Sequence, residues 1–223
     1  MAIALVNQAG VSGGFQSSPQ VISYTSTAGN TLIFSGFLYY STASVPAVGT
    51  ISDSAGNTWN YSTSNSQYPP FAGESANGGG CTVFIAWSLS AKPITSLTLT
   101  TTNGSPWTRV VISEWTGIAA FDSSASAFST VNQISGSVTT NLSMSGDLIV
   151  GAFETTVGST SFSQPTGWTD FTASGAVNNN SYDLPGVVGP YTATITMNQA
   201  SDWAFVVAAF KPDNPSAMIG FFP

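Results

Sequence analysis

The stretch GNTLIFSGFLYY, residues 29–40, begins with a glycine turn and continues as a mostly apolar run. A related phrase, GDLIVGAFETT, returns at residues 146–156. Such short runs, rich in β-branched and aromatic residues and lacking helix caps, are typical of strands that are covered on both faces. The recurrence predicts that the chain contains the same β unit twice.

The segments that follow these two runs keep the same order in both halves. Each half continues with a Gly-turn followed by Trp59 or Trp168, and then with an alternating strand such as TSLTLTTT at 95–102. Each half then passes through a polar turn to Trp107 or Trp203 and closes with an apolar strand. Two similar units most simply face each other as the two sheets of one sandwich, because each sheet then covers the apolar face of the other.

The predicted fold class is therefore all-β: a single antiparallel β-sandwich, jelly-roll-like, with an internal pseudo-repeat and extended termini. Residues 20–212 are expected to form the sandwich, residues 1–19 an N-terminal strand or arm, and residues 213–223 an extended apolar C-terminal arm. Two separate domains are the alternative, and one sandwich is favoured because no Pro-rich or charged linker divides the halves. The Ser/Thr-rich residues 122–143 are expected to cross between the halves and to carry a strand at FSTVNQI.

Composition excludes several classes of partner. Charged residues make up 6% of the 223 residues, and three cations against ten acids give a net charge of −7. Without a basic surface we expect neither nucleic-acid binding nor attachment to a membrane through basic residues. We also expect no membrane insertion, because no apolar run approaches about 18 residues. The start MAIALVNQAG lacks the charged and apolar regions of a signal peptide, so we expect synthesis without one.

A chain with no histidine cannot form a Ser-His-Asp triad and lacks the commonest metal ligand. Cys81 precedes the apolar run TVFIAW and is interpreted as a small buried strand residue rather than a nucleophile. Glu74, Glu114, Glu154 and Asp183 could be assigned to a glycosidase pair, but nothing in their positions marks two of them as partners. The sequence therefore favours a protein that is not an enzyme and that holds no cofactor or metal.

The segment DSAGNTW, residues 53–59, contains oxygen-bearing side chains that could suggest a calcium loop. It lacks the spacing and the terminal bidentate glutamate of such loops. The favoured interpretation is a hairpin turn in which Gly56 and Asn57 take positive φ and Asp53 binds backbone amides.

Aromatic residues mark a long polar loop at residues 58–80. It carries Trp59, Tyr61, Tyr68 and Phe71, among Asn, Gln and Ser. Long loops in compact domains are often functional, and aromatic faces flanked by amides suit sugar rings. The alternative is a contact with a neighbouring subunit, with Trp59 in the core, and the sequence favours neither.

The last residues form a second candidate contact. After the prolines of KPDNPS, the tail carries four large apolar side chains, at Met218, Ile219, Phe221 and Phe222. Exposed apolar ends usually dock on another surface. This tail therefore either forms an assembly arm that binds an adjacent protein or folds back on its own sandwich.

The order of these motifs resembles a known family of modules. The GNTL strand, the Asp53-x-x-Gly56-Asn57-Thr58-Trp59 turn, ISEWTG, GDLIVGA, TGW and the closing WAFVVAAFKP are similar to a β-sandwich module of phage structural and tail proteins and of bacterial secreted surface proteins. The resemblance covers residues 20–212. Glu114-Trp115-Thr116-Gly117 stands where that family usually has Glu-Tyr-Ser-Gly. The resemblance implies a jelly-roll-like sandwich used for adhesion, display or assembly, and it brings no catalytic residues.

Two functional hypotheses follow. The favoured one is a non-enzymatic structural component of a phage virion, such as a capsid decoration protein, a head fibre or a tail component. It would form homo-oligomers and bind other virion proteins, and it would be located in the extracellular particle. The alternative is a carbohydrate-binding or adhesin module that recognises host-surface glycans.

Overall fold

The computed structural model describes residues 1–11, 13–40, 45–67, 79–102, 104–156, 161–172 and 180–213. These residues form antiparallel β-sheets that pack on one another, and no α-helix is present among them. The prediction of an all-β antiparallel sandwich is confirmed. Tyr68, Phe71 and the four apolar side chains of the predicted assembly arm lie outside the described residues.

The first half of the chain forms eight strands in two sheets. The smaller sheet contains, in spatial order, β2 (Gln20–Ser23), β7 (Ser96–Thr102) and β4 (Ala47–Asp53). The larger sheet contains, in spatial order, β1 (Ala4–Val11), β8 (Trp107–Thr116), β3 (Thr31–Tyr40), β6 (Gly80–Ser88) and β5 (Asn60–Gln67). Strand β1 pairs with β8, β2 with β7 and β3 with β6. This pairing is the one obtained when a long hairpin folds over into two layers, as in a jelly roll. Strand β1 lies within residues 1–19, the segment that the sequence sets apart as an N-terminal strand or arm.

The second half repeats this arrangement with fewer strands, two of them much longer, in one six-stranded sheet. They are β9 (Ile118–Leu142), β10 (Leu148–Thr155), β11 (Phe162–Ser163), β12 (Thr169–Asp170), β13 (Asn180–Asp183) and β14 (Gly189–Pro212). Strand β14 pairs with β9 along most of its length, and the register shifts between Thr196 and Trp203. Each long strand thus spans two layers, so that β9 corresponds to β1 and β2, and β14 to β7 and β8. The predicted crossover at residues 122–143 is in fact most of β9, which runs well beyond FSTVNQI.

The two large sheets pack face to face through a core that both halves share. The buried side chains include Ile33, Phe37, Val83, Ile85 and Val111 from the first half. From the second half they include Leu148, Val150, Ala204, Val206 and Ala208. The two halves therefore face each other as the sequence predicts.

Each half also has a core of its own between its inner and outer layers. In the first half, Phe34 and Ile112 of the large sheet meet Leu97 of the small sheet. In the second half, Phe153 and Val207 belong to the same cluster as Leu142 at the end of β9 and Ala193 and Ile195 in the first part of β14. The molecule thus has four layers, and the two outer layers were not predicted from the sequence. Strands β3 and β10 bury both of their faces, and this explains why their sequences are unbroken apolar runs.

The registers show which positions of the two halves are equivalent. Gly29 and Gly146 both have positive φ, at 85° and 88°, just before β3 and β10. Two residues later, Thr31 lies opposite Trp115 and Leu148 lies opposite Phe210. Trp115 is therefore equivalent to Phe210.

The same register corrects one detail of the predicted repeat. Counting back along each strand from Trp115 and Phe210, Trp107 is equivalent to Asp202 and not to Trp203. Trp203 is buried, with 5% of its surface exposed, whereas Trp107 is 37% exposed. The difference of one residue between Asp202 and Trp203 arises because the alternating and apolar parts of β14 are joined by an irregular bend, while β7 and β8 are separate strands.

The two ends of the sandwich differ. At the distal end, where β3 and β10 finish, Tyr39 lies opposite Trp107 and Thr155 lies opposite Trp203. At the basal end, the amino group of Met1 donates to the carbonyl of Asp213, and the amide of Asp213 donates to the carbonyl of Gly117 at 2.6 Å. The junction between the halves therefore lies beside Met1 and Asp213.

Candidate functional site

The turn at residues 53–59 is held by one carboxylate. Asp53 accepts hydrogen bonds from the amides of Ala55 (2.8 Å) and Asn57 (3.2 Å) and from the indole Nε1 of Trp59 (2.7 Å). Burial raises the pKa of Asp53, but these hydrogen bonds outweigh it and leave the pKa below its usual value. The segment is thus a turn that satisfies its own carboxylate, but it is not the predicted hairpin turn, because β4 and β5 belong to different sheets. Gly56 takes positive φ (67°) as predicted, whereas Asn57 does not.

A second turn is fastened to the first. The side-chain amide of Asn57 donates to the carbonyl of Lys92 at 3.0 Å, and the amide of Lys92 donates to Oδ1 of Asn57 at 2.8 Å. This reciprocal pair ties the turn after β4 to the turn after β6. Ser90, in the second turn, has a positive φ of 47°, an uncommon conformation for a residue with a side chain.

A groove of about 340 Å³ lies between these two turns. It is lined by Gly56, Asn57, Thr58, Asn60, Ser88, Leu89, Ser90 and Lys92. Neutral hydrogen-bonding side chains dominate the lining, with one apolar residue and one ammonium group. The sequence analysis did not predict this groove, because its two walls lie in separate segments of the chain that come together through the β5–β6 pairing and through Asn57.

The structure describes two of the four predicted loop aromatics, and they differ. Trp59 is partly buried against the core of the first half and anchored by Asp53. Tyr61, on β5, is 55% exposed. Trp59 thus serves the fold, and Tyr61 remains available to a ligand or a subunit.

The distal end brings together polar side chains from both halves. The guanidinium of Arg109 lies over the ring of Phe37, 5.8 Å from its centroid. Burial raises the pKa of Glu154 to about 8, although the Thr155 amide and the charge of Arg109 oppose the shift. Burial, and then the charge of Glu154, raise the pKa of Tyr39. Sequence reasoning considered Glu154 but missed Arg109 and Tyr39, because only the packing of the two halves brings them close.

Glu114 is a structural carboxylate. It is buried and accepts hydrogen bonds from the Tyr24 hydroxyl (3.3 Å), the Thr27 amide (2.9 Å) and the Asn30 side-chain amide (2.5 Å). These partners hold the turn that leads into β3. No acidic side chain is among these three partners.

The other candidates for catalysis occupy separate places. Asp183 accepts a hydrogen bond from the Tyr191 hydroxyl at 2.7 Å, and Tyr191 in turn accepts one from Trp168 at 2.8 Å. Cys81 is fully buried in the shared core. Glu74 lies outside the described residues. Within the described ranges, no three His, Cys, Asp or Glu side chains are grouped so as to hold a metal ion.

Apolar side chains are exposed at the distal end of both halves. Phe15 is 62% exposed and contacts Trp107 edge to face, with ring centroids 5.6 Å apart. Phe128, Val131 and Ile134, where β9 bends, are exposed in the second half. These five residues are called the distal apolar residues below.

Comparisons with protein-family models, with curated proteins and with solved structures find no match. Among the described residues, no helix has the length and apolar character needed to cross a membrane.

Proposed function

We propose that the chain is a non-enzymatic structural component of a phage virion: a capsid decoration protein, a head fibre or a tail component. The observation that carries this proposal is the exposure of the distal apolar residues on a frame that already has three buried cores. Large exposed apolar groups on a well-packed protein mark contacts with other proteins. The partners would be further copies of the chain and other proteins of the particle.

The distribution of charge supports assembly. Several acids are used inside the fold, where Asp53 and Glu114 hold turns and Asp122 pairs with Lys211 at 3.1 Å. The exposed outer layers carry paired hydroxyl groups, such as Thr139 with Thr192 at 2.8 Å. Flat, uncharged faces allow copies to approach without strong electrostatic repulsion. The resemblance to phage structural modules agrees with this role and stays a prediction.

Two measurements test the proposal. Mass spectrometry of purified virions should detect the chain in stoichiometric amounts, and its absence from intact particles would contradict the proposal. In the purified protein, replacing Phe15 and Phe128 together by Ser should prevent assembly and leave the circular dichroism spectrum unchanged. Val188→Ser is the control, because Val188 is equally exposed but is not one of the distal apolar residues. Equal effects of the two changes would exclude a specific role for the distal end.

A carbohydrate-binding or adhesin role is the second candidate. The exposed ring of Tyr61 and the polar groove at the start of the same strand support it. A glycan array is the direct test, and a lack of binding at millimolar concentrations would contradict it. This role is compatible with a place in the particle, since a virion protein can also bind glycans on the host surface.

A further inference from the structure

We propose that the groove between the two fastened turns binds a saccharide that carries a carboxylate, such as a uronic acid residue of an acidic polysaccharide. This site is separate from the distal apolar residues, it includes Thr58 and Asn60 from the start of the predicted aromatic loop, and the proposal rests on the carbohydrate-binding role given above as the second candidate. It does not depend on the structural role proposed above.

The groove is built before any ligand arrives. Asn57 is held from both sides, by the backbone of Lys92 and by the Asp53 turn, so the two walls are fixed relative to each other. A Cβ at Gly56 would meet no atom of the described residues within 4 Å, which leaves that side open among them. Binding sites that are already formed lose less conformational entropy when a ligand binds. The volume of about 340 Å³ lies in the usual range for small-molecule sites, roughly 300–1,000 Å³.

The ammonium of Lys92 defines the charge of the ligand. The chain has three cations: Arg109 lies beside Glu154 at the distal end, and Lys211 is paired with Asp122. Lys92 is exposed and has no carboxylate partner among the residues that the structure describes. One ammonium complements one carboxylate, whereas a polyphosphate or a nucleic acid requires several cations.

The remaining lining groups define the rest of the ligand. Thr58, Asn60 and Ser90 are exposed and present hydroxyl and amide groups, which can both donate and accept hydrogen bonds. Sugar hydroxyls have the same dual character. Leu89, also exposed, offers an apolar surface to the C–H face of a sugar ring. A ligand with several hydroxyls and one carboxylate therefore uses every type of group in the groove.

The test is calorimetric titration of the full chain with a short oligogalacturonate and with the neutral galactose oligomer of the same length. We expect saturable binding of the acidic oligomer that weakens as the salt concentration rises. Lys92→Gln should reduce this affinity about tenfold, the loss expected for one charge-assisted hydrogen bond. Because the backbone of Lys92 makes the contacts to Asn57, the turns should remain intact in this variant.

Lys211→Gln is the matched control, since it changes the net charge equally at a place outside the groove. It should keep the wild-type affinity within about twofold, and Asn60→Ala should weaken binding without changing its salt dependence. Three results would each overturn the proposal: no saturable binding at millimolar ligand, equal losses in the two lysine variants, or binding of acetate as tight as that of the oligosaccharide. None of these results bears on whether the chain belongs to a virion.

Discussion

Trp115 and Tyr182 meet edge to face across the interface between the two halves, with ring centroids 5.0 Å apart and planes at 79°. Trp87 and Phe210 make the equivalent contact, at 5.8 Å and 78°. Trp115 and Phe210 occupy matching positions on β8 and β14, and Trp87 and Tyr182 occupy matching positions on β6 and β13. The interface is therefore built from two copies of one aromatic contact, related by an approximate two-fold axis.

Removing one of these rings should weaken the whole molecule. We expect Trp115→Ala to lower the free energy of unfolding by about 3–5 kcal/mol, because it opens a cavity in the shared core. Chemical denaturation followed by circular dichroism measures this change. Trp107→Ala is the control and should cost less than about 1 kcal/mol, since that ring is partly exposed. Equal losses in the two variants would contradict the assignment of Trp115 to the interface.

Gly36 is needed because a neighbouring backbone is close. A Cβ there would lie 2.8 Å from the Cα of Val110 on the adjacent strand and even closer to the carbonyl of Arg109. We expect Gly36→Ala to destabilise the fold by at least about 2 kcal/mol, as overpacking against backbone cannot be relieved by a side-chain rotation. Gly186→Ala, where a Cβ meets nothing within 4 Å, should change the melting temperature little. A tolerated Gly36→Ala would mean that β3 and β8 are farther apart than described.

Asp202 should make the protein less stable as the pH rises. It is fully buried, neither carboxylate oxygen has a hydrogen-bond partner among the described residues, and burial raises its pKa from 3.8 to about 6. A raised folded-state pKa means that the folded protein holds the proton longer than the unfolded chain does. Stability due to Asp202 is therefore complete below about pH 4 and is lost between about pH 4 and 6. Between pH 4 and pH 7 the wild type should therefore lose about 1–3 kcal/mol of stability that Asp202→Asn keeps.

Asp53 provides a control, because its effect on stability should change with pH in the opposite direction. Its folded-state pKa is lowered, so its contribution is present above pH 3.8 and is lost as the pH falls further. Asp53→Asn should therefore be less stable than the wild type at pH 7, and the difference should shrink in acid. Denaturation curves at pH 3 to 8 test both variants. If Asp202→Asn loses stability as the pH rises in the same way as the wild type, the carboxyl group of Asp202 is not the cause.

The C-terminal segment should be needed for assembly and not for folding. Asp213 is held by hydrogen bonds at the basal end, so deleting residues 214–223 leaves the described contacts in place. We expect the shortened chain to remain folded and soluble and to lose incorporation into particles or oligomers, because Met218, Ile219, Phe221 and Phe222 are removed. Light scattering and incorporation assays measure the outcome. Normal incorporation would contradict an assembly arm, and unfolding would show that the segment belongs to the core.

Replacing Tyr61, Tyr68 and Phe71 together by Ser distinguishes two roles for the aromatic loop. If the loop is a ligand platform, the variant should stay folded and lose glycan or host attachment. If it is a subunit contact, oligomer stability should fall and glycan binding should persist. Trp59 is left unchanged, because its hydrogen bond to Asp53 supports the turn. A variant that behaves as the wild type in both assays would exclude both roles.

The repeat could be predicted because the two halves have the same order of strands and similar residues at the strand starts, such as Gly29 and Gly146. Burial on both faces was also predictable from the unbroken apolar runs. The outer layers were not, because β9 and β14 each serve two layers, and periodicity does not show where a long strand changes layer. The Trp107 assignment was wrong for the same reason: the bend near Ser201 shifts the count by one residue.

The candidate sites were harder to predict than the fold. The Asp53 turn could be derived from local sequence, because the carboxylate and the amides it binds lie within four residues. The groove and the cluster at Arg109 and Glu154 depend on contacts between distant segments. Composition indicated that cations are rare, but it could not show which of the three lacks a carboxylate partner among the described residues.

The closeness of Met1, Gly117 and Asp213 makes the molecule almost a closed ring of two equivalent units. The link after β8 and the gap between β14 and β1 occupy matching places in the duplication. Neither the order of the halves nor the position of the chain break is then essential to the topology. A circular permutant that runs from 118 to 213, continues through a short glycine linker to 1 and ends at 117 would retain every strand pairing. Its two ends would emerge where the natural junction lies, which makes that place suitable for attaching a second protein without disturbing the distal end.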